Sequence, residues 1–115
     1  MNIIIYHNPR CSKSRQTLEL ISSRGITPET IDYLNHPPTR EQLRNILKLL
    51  SMGPRDLMRK KEQIYMEKNL ADPALTDDQL IDAMISHPKL IERPIVINGD
   101  RAALGRPPEN VLEIL

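Results

Sequence analysis

Near the N-terminus an apolar run, a polar break, a helical pattern and a second run follow one another, and this succession restricts the chain to few folds. Ile3-Ile4-Ile5-Tyr6 is β-branched and apolar without alternation, the pattern of a short strand covered on both faces. His7-Asn8-Pro9-Arg10-Cys11 breaks it. From Ser12 or Ser14 the spacing of Thr17, Leu18 and Ile21 predicts a helix, and Gly25 stands where a helix C-terminal cap belongs. Thr30-Ile31-Asp32-Tyr33-Leu34 alternates as a second strand. Two strands joined through a helix run parallel, with a right-handed crossover. The opening is therefore a βαβ unit, with Cys11 in its first strand-to-helix turn.

Beyond it the pattern turns helical. Thr39-Arg40-Glu41-Gln42 is a capping box, followed by Leu43, Ile46, Leu47 and Leu50 at helical spacing. Gly53-Pro54 opens another short helix. A second capping box, Thr76-Asp77-Asp78-Gln79, precedes an apolar face of Leu80, Ile81, Met84 and Ile85, which Pro88 ends. Met52, Met58, Met66 and Met84 are expected to pack in these helices. Pro94-Ile95-Val96-Ile97 and Ala102-Ala103-Leu104 read as strands joined through Asn98-Gly99-Asp100-Arg101, where Asn-Gly signals a tight antiparallel hairpin. Val111, Leu112 and Leu115 then fit a last helical turn or two. The predicted order is β-α-β, a helical insertion at about 39–90, then β-β-α, within a single α/β domain of 115 residues.

Composition removes several classes of function. The chain has 16 Lys and Arg against 15 Asp and Glu, so no broad field of either sign draws in nucleic acid or a membrane surface. Three Tyr with neither Phe nor Trp leave no aromatic platform for stacking bases. No run approaches membrane-spanning length, and the short apolar start lacks the basic flank of a signal peptide. A single cysteine permits no internal disulfide, which fits a cytoplasmic setting. No Cys/His cluster has metal-ligand spacing, so no metal and no bound cofactor are expected.

What remains is Cys11. A helix N-terminus presents unpaired N–H groups and a positive dipole end, and both favour a thiolate over a thiol. His7, Arg10 and Arg15 lie close in sequence and are candidate cations that would lower the thiol further. The same N–H groups can cradle an oxyanion. A free cysteine is more often a small buried hydrophobe, but the polar and turn-forming residues around this one favour a functional thiol. Cys11-Ser12-Lys13-Ser14 has the form of a Cys-x-x-Cys motif with serine in place of the second cysteine. Any oxidised state on Cys11 must then be resolved by a thiol from another molecule. Thr17 stands where a protein-tyrosine-phosphatase loop would carry its arginine, which disfavours that chemistry.

The segment Tyr6-His7-Asn8-Pro9-Arg10-Cys11-Ser12-Lys13-Ser14-Arg15 resembles the active-site signature of the arsenate reductases that use glutathione and glutaredoxin. Leu57-Met58-Arg59-Lys60-Lys61, Thr76 to Ile81, Ile91-Glu92-Arg93-Pro94-Ile95-Val96 and Gly105-Arg106-Pro107-Pro108 are similar to later blocks of the same family, in the same order. The chain stops at Leu115, nearer the shorter arsenate-reductase-like members. The resemblance implies a thioredoxin-like (glutaredoxin-like) mixed sheet. It implies that Cys11 attacks arsenic, His7 helps hold the thiolate, Ser14 hydrogen-bonds near the sulfur, and Pro94 is a cis-proline facing the thiol. Arg59, Arg93 and Arg106, with Arg15, would bind the anionic substrate. Arsenate, glutathione as co-substrate and glutaredoxin are the implied partners of a monomeric cytoplasmic enzyme, with arsenite as product.

Two other functions share such a fold. One is a glutathione-dependent reductase of disulfides, and the other is a non-enzymatic regulator that docks on RNA polymerase. Ser14 replaces the switch cysteine typical of the regulators, and an arginine set has no purpose in docking.

Overall fold

Ile3–His7 forms β1, and its burial on both sides follows from its place inside the sheet. The computed structural model describes residues 2–115. Helix α1 (Ser12–Ser23) follows the Cys11 turn, and Gly25 adopts a left-handed φ of 75° just past its end. Strand β2 (Glu29–Asp32) returns parallel to β1, with Ile5 opposite Thr30. It is shorter and earlier than the predicted Thr30 to Leu34. The Asp32 carboxylate accepts from the Leu34 N–H at 3.3 Å and from the Asn35 side-chain amide at 2.6 Å, which folds Tyr33-Leu34 into a turn and ends the strand.

Strands β3 (Ile95–Asn98) and β4 (Arg101–Leu104) form the predicted hairpin, with Gly99 at φ 62° in its turn. β3 pairs antiparallel with β1, so the sheet runs β2-β1-β3-β4 with one parallel and two antiparallel pairings. This is the mixed α/β sheet of the thioredoxin-like expectation. The chain ends in a 3₁₀ segment, Pro108–Ile114, where a helical turn or two was expected. Its buried Val111 and Ile114 join Ile3, Ile5, Ile21 and Val96 in one aliphatic cluster. With no Phe or Trp available, these branched side chains fill the core. Asn98 Nδ2 donates to the Ile114 carbonyl at 2.6 Å, and an Arg101 guanidinium N–H donates to the Glu113 carbonyl at 2.9 Å, tying the last segment to the hairpin.

The chain divides into two compact units, one built from the residues up to His36 together with Arg93–Leu115, the other from Pro37–Glu92. The second is helical. Thr39 and Thr76 both make complete capping boxes, at α2 (Arg40–Leu50) and α4 (Asp77–Ser86). Buried Leu43, Ile46, Leu47, Leu80, Ile81 and Met84 form the apolar faces of those helices. Arg40–Asp82 and Arg44–Asp78 ion pairs join them on the exposed side. Gly53-Pro54 leads into a 3₁₀ turn, Pro54–Leu57, rather than an α-helix. A five-residue helix α3 (Gln63–Glu67) lies in a segment with no periodic signal. Met58 and Met84 are buried as expected, but Met66 is 78% exposed: α3 is too short to bury more than one side, and Tyr65 takes it. No helix among the described residues is long and apolar enough to cross a membrane.

Candidate functional site

The β1-to-α1 turn is built by short-range bonds. Cys11 N–H donates to the Asn8 carbonyl at 3.0 Å, and Arg10 N–H donates to Asn8 Oδ1 at 3.0 Å. Cys11 is the N-cap residue of α1, with extended backbone (φ −93°, ψ 124°). Its carbonyl receives the Arg15 N–H at 3.0 Å, the first bond of the helix. The sulfur thus lies over the exposed N–H end of α1 without closing a regular cap bond.

Cys11 is 9% exposed, so burial alone would raise its thiol pKa. The opposite result prevails. The backbone N–H of Ser14, the Arg93 charge, the backbone N–H of Lys13 and the Arg106 charge outweigh burial and lower the thiol below its ordinary 9.0. Arg106 Nη2 points at Sγ from 3.7 Å. Its Nε donates to the Arg93 carbonyl at 2.7 Å, which locks the guanidinium to the turn carrying the second arginine. Arg93 Nε and Nη1 are out of solvent, although the residue as a whole is only partly covered. Both the Arg93–Pro94 and Arg106–Pro107 peptides are cis. The resemblance implied the first; no signal in the sequence marked the second.

The expected cationic role of His7 is corrected by its surroundings. Burial, the largest influence, lowers its pKa below the ordinary 6.5; Asp32 opposes this and Arg15 adds to it, so the ring is neutral near pH 7. Its Nδ1 lies 2.5 Å from Ser14 Oγ, and the Asn8 N–H donates to the same oxygen at 3.0 Å. The Ser14 hydroxyl is thereby committed to holding the turn, and what Ser14 offers the sulfur is its backbone N–H. The guanidiniums that weigh most on Cys11 are Arg93 and Arg106, far away in sequence, and not the flanking Arg10 and Arg15. Arg15 is exposed and donates to the Pro9 carbonyl at 2.9 Å. Arg59 belongs to the helical unit, where its guanidinium pairs with Glu62 at 2.5 Å and its N–H donates to the Leu90 carbonyl at 2.7 Å. Asn8, through its backbone and its side-chain Oδ1, and Lys13, through its backbone N–H, also build the site; the Asn-Pro turn signal marks Asn8, while nothing in the sequence marks Lys13. Among the described residues no group of three or more His, Cys, Asp or Glu side chains is placed to hold a metal ion.

A buried sulfur facing N–H groups and two guanidiniums is an electropositive recess suited to an oxyanion beside a nucleophile. The model of the ArsC family matches residues 6–114, and so spans both the Cys11 turn and the Arg93 and Arg106 segments. The chain belongs to the ArsC family. An arsenate reductase of Haemophilus influenzae is 49% identical over 116 residues, covering 100% of both chains. The uncharacterized protein YfgD of Escherichia coli is 54% identical over 112 residues, covering 96% of this chain and 94% of that protein. The solved structure of an arsenate reductase from Vibrio cholerae superposes with a TM-score of 0.97 at 52% identity, covering 100% of this chain and 98% of that one. The ArsC assignment and the thioredoxin-like fold therefore hold over essentially the whole chain.

Proposed function

We propose that this ArsC-family chain is an arsenate reductase whose nucleophile is the Cys11 thiolate. The observation that carries the reading is the approach of the Arg106 guanidinium to within 3.7 Å of the sulfur, with Arg93 bound to the same arginine. Guanidiniums match the paired oxygens of a phosphate-shaped anion, and here they stand beside the attacking atom. The similarity to arsenate reductases over the full length adds support.

Arsenate enters the recess, and the thiolate adds to arsenic as an arsenate oxygen leaves as water, with protons taken from solvent. Arg93 and Arg106 face the charge that builds on the arsenic oxygens, where fixed cations lower the barrier most. The adduct is still As(V). Cys11 is the chain's single cysteine, so the two electrons come from outside. Glutathione adds to the adduct as a second arsenic oxygen leaves as water, and the glutaredoxin thiol then attacks the glutathione sulfur. The two thiols leave as a mixed disulfide, arsenic becomes As(III), and hydrolysis releases arsenite and restores the Cys11 thiolate. Neutral His7 and Ser14 hold the Cys11 turn throughout. Arg59 is proposed as a further substrate-binding residue, on its position in the block Leu57 to Lys61, and Arg15 as a weaker one. The protein acts as a monomer in a reducing cytoplasm, with glutathione as its only small co-substrate.

The test is NADPH consumption in the presence of arsenate, glutathione, glutaredoxin and glutathione reductase. Arsenate-dependent turnover that is abolished by Cys11→Ser is the expected result. Turnover with a disulfide but not with arsenate replaces this reading by thiol/disulfide reduction. Absence of both, with retention of RNA polymerase on the immobilised protein, replaces it by the regulator.

A further inference from the structure

We propose that Gly105 is a positioning residue for Cys11: the lack of a side chain there lets the end of β4 seat against Thr17 and Pro94 and so delivers the Arg106 guanidinium to the sulfur. The inference deepens the reading of the Cys11 recess given above, but its first readout is the thiol itself and needs no arsenate.

Gly105 is buried and joins three parts of the recess. Its N–H donates to the Pro94 carbonyl at 3.0 Å, which carries the β3–β4 ladder one step past its last strand pair, Ile95 with Leu104. The next residue is Arg106, which reaches both the Arg93 carbonyl and Cys11 Sγ. A Cβ built on Gly105 would stand 2.6 Å from Pro94 Cγ, 3.1 Å from Thr17 Cγ2 and closer still to Thr17 Oγ1. Side chains do not tolerate such distances, so something must shift.

Neither neighbour is free to give. Thr17 is fully buried on α1, and its hydroxyl donates to the Lys13 carbonyl at 2.8 Å. Its β-branched side chain has few rotamers to choose from. Pro94 is buried and its ring is tied to the backbone at both ends, so Cγ can shift only by a change of pucker. The segment that can move is Gly105-Arg106 itself, at the open end of the hairpin. Displacing it by the fraction of an ångström that a methyl requires draws Arg106 away from Sγ. Gly105 has an ordinary negative φ, so this requirement is one of space and not of backbone conformation.

The experiment measures the rate of Cys11 alkylation against pH in the full-length protein, with folding checked by circular dichroism. Gly105→Ala is expected to raise the midpoint by about one pH unit, the lower end of what loss of a nearby opposite charge produces. At pH values below both midpoints alkylation slows only about threefold, because a more basic thiolate is the better nucleophile. Arg106→Gln should give a similar rise, and the double variant no further one, since both changes remove the same cation. A purely structural role for Gly105 predicts additive effects or none. Should Gly105→Ala fail to fold, Thr17→Val presses a methyl against the same glycine, and a raised midpoint is again expected. An unchanged midpoint in whichever of the two variants folds, or full additivity with Arg106→Gln, overturns the proposal. If the wild type does not reduce arsenate yet these shifts appear, the functional reading fails and the positioning role stands.

Discussion

Arg106 Nη2 lies 3.7 Å from Cys11 Sγ although 95 positions separate the two residues in the chain. The contact joins the two ends of the sheet unit, and it accounts for part of why a mostly buried thiol is easier to ionise than one in water. Arg106→Gln keeps hydrogen-bonding capacity and deletes the charge. The midpoint of Cys11 alkylation should rise by about one pH unit, and kcat/KM for arsenate should fall by about an order of magnitude or more. An unchanged midpoint would remove Arg106 from the account of the thiolate.

Ionisation of Cys11 also links pH to stability. Its folded pKa is below the ordinary 9.0, so between the two values the unfolded chain holds a proton that the folded protein has lost. Stability then rises with pH across that window, is fully present above 9.0, and is lost as pH falls through the folded value. The urea midpoint of the wild type should climb with pH relative to that of Cys11→Ser, with the difference levelling off above 9.0.

His7 has the same sign for a different reason. Burial lowers its pKa, so below 6.5 the unfolded chain takes up a proton before the folded one. Its contribution is complete above 6.5 and declines as pH drops towards the folded value. In His7→Phe the acid side of the stability curve should flatten. A curve as steep as that of the wild type would show that the imidazole is not held neutral.

Ser14→Ala leaves the His7 ring nitrogen and the Asn8 N–H without their shared oxygen. Each lies in a buried or half-buried place, so a stability loss of about 1–3 kcal/mol is expected by urea unfolding. The backbone N–H of residue 14 survives the change, and the thiol midpoint should move less than in Arg106→Gln. A larger shift would mean that the hydroxyl acts on the sulfur directly.

Thr39 and Thr76 start the two main helices of the second unit with the same capping box. Thr39→Ala or Thr76→Ala should each cost about 1 kcal/mol. Neither threonine belongs to the unit that holds Cys11, Arg93 and Arg106. Alkylation at Cys11 in the folded protein should therefore keep its wild-type midpoint, which provides a control for variants that act through stability alone.

The parts of the fold legible in the sequence were those written in short-range chemistry. The two capping boxes, the Gly99 hairpin and the unbroken Ile3 to Tyr6 run each specify their own element, and all stand where periodicity and turn chemistry put them. The end of β2 was misread because Asp32 captures Leu34 N–H and Asn35 at a position where apolar alternation alone would continue. α3 was missed because five residues carry too little periodicity to register. At the site, Cys11 was legible from its turn and its helix. Its cations were legible only through the family resemblance, which names Arg93 and Arg106: sequence proximity favours His7, Arg10 and Arg15, whereas folding leaves His7 neutral, turns Arg15 to Pro9 and brings in the two distant arginines. The role of Gly105 depends on a contact with Thr17 across the fold, which no local pattern encodes.

The register of β1 with β3, in which Ile4 faces Ile97, has a kinetic consequence. The central pairing of the sheet joins segments from almost opposite ends of the polypeptide, so the loop-closure entropy of everything between them opposes it. The parallel β1-α1-β2 module has far less chain to close and is the better candidate for an early nucleus. A ribosome-bound chain that has not yet emerged past residue 92 lacks both distant guanidiniums, so the thiol should acquire its reactivity only once Arg93 and Arg106 have followed.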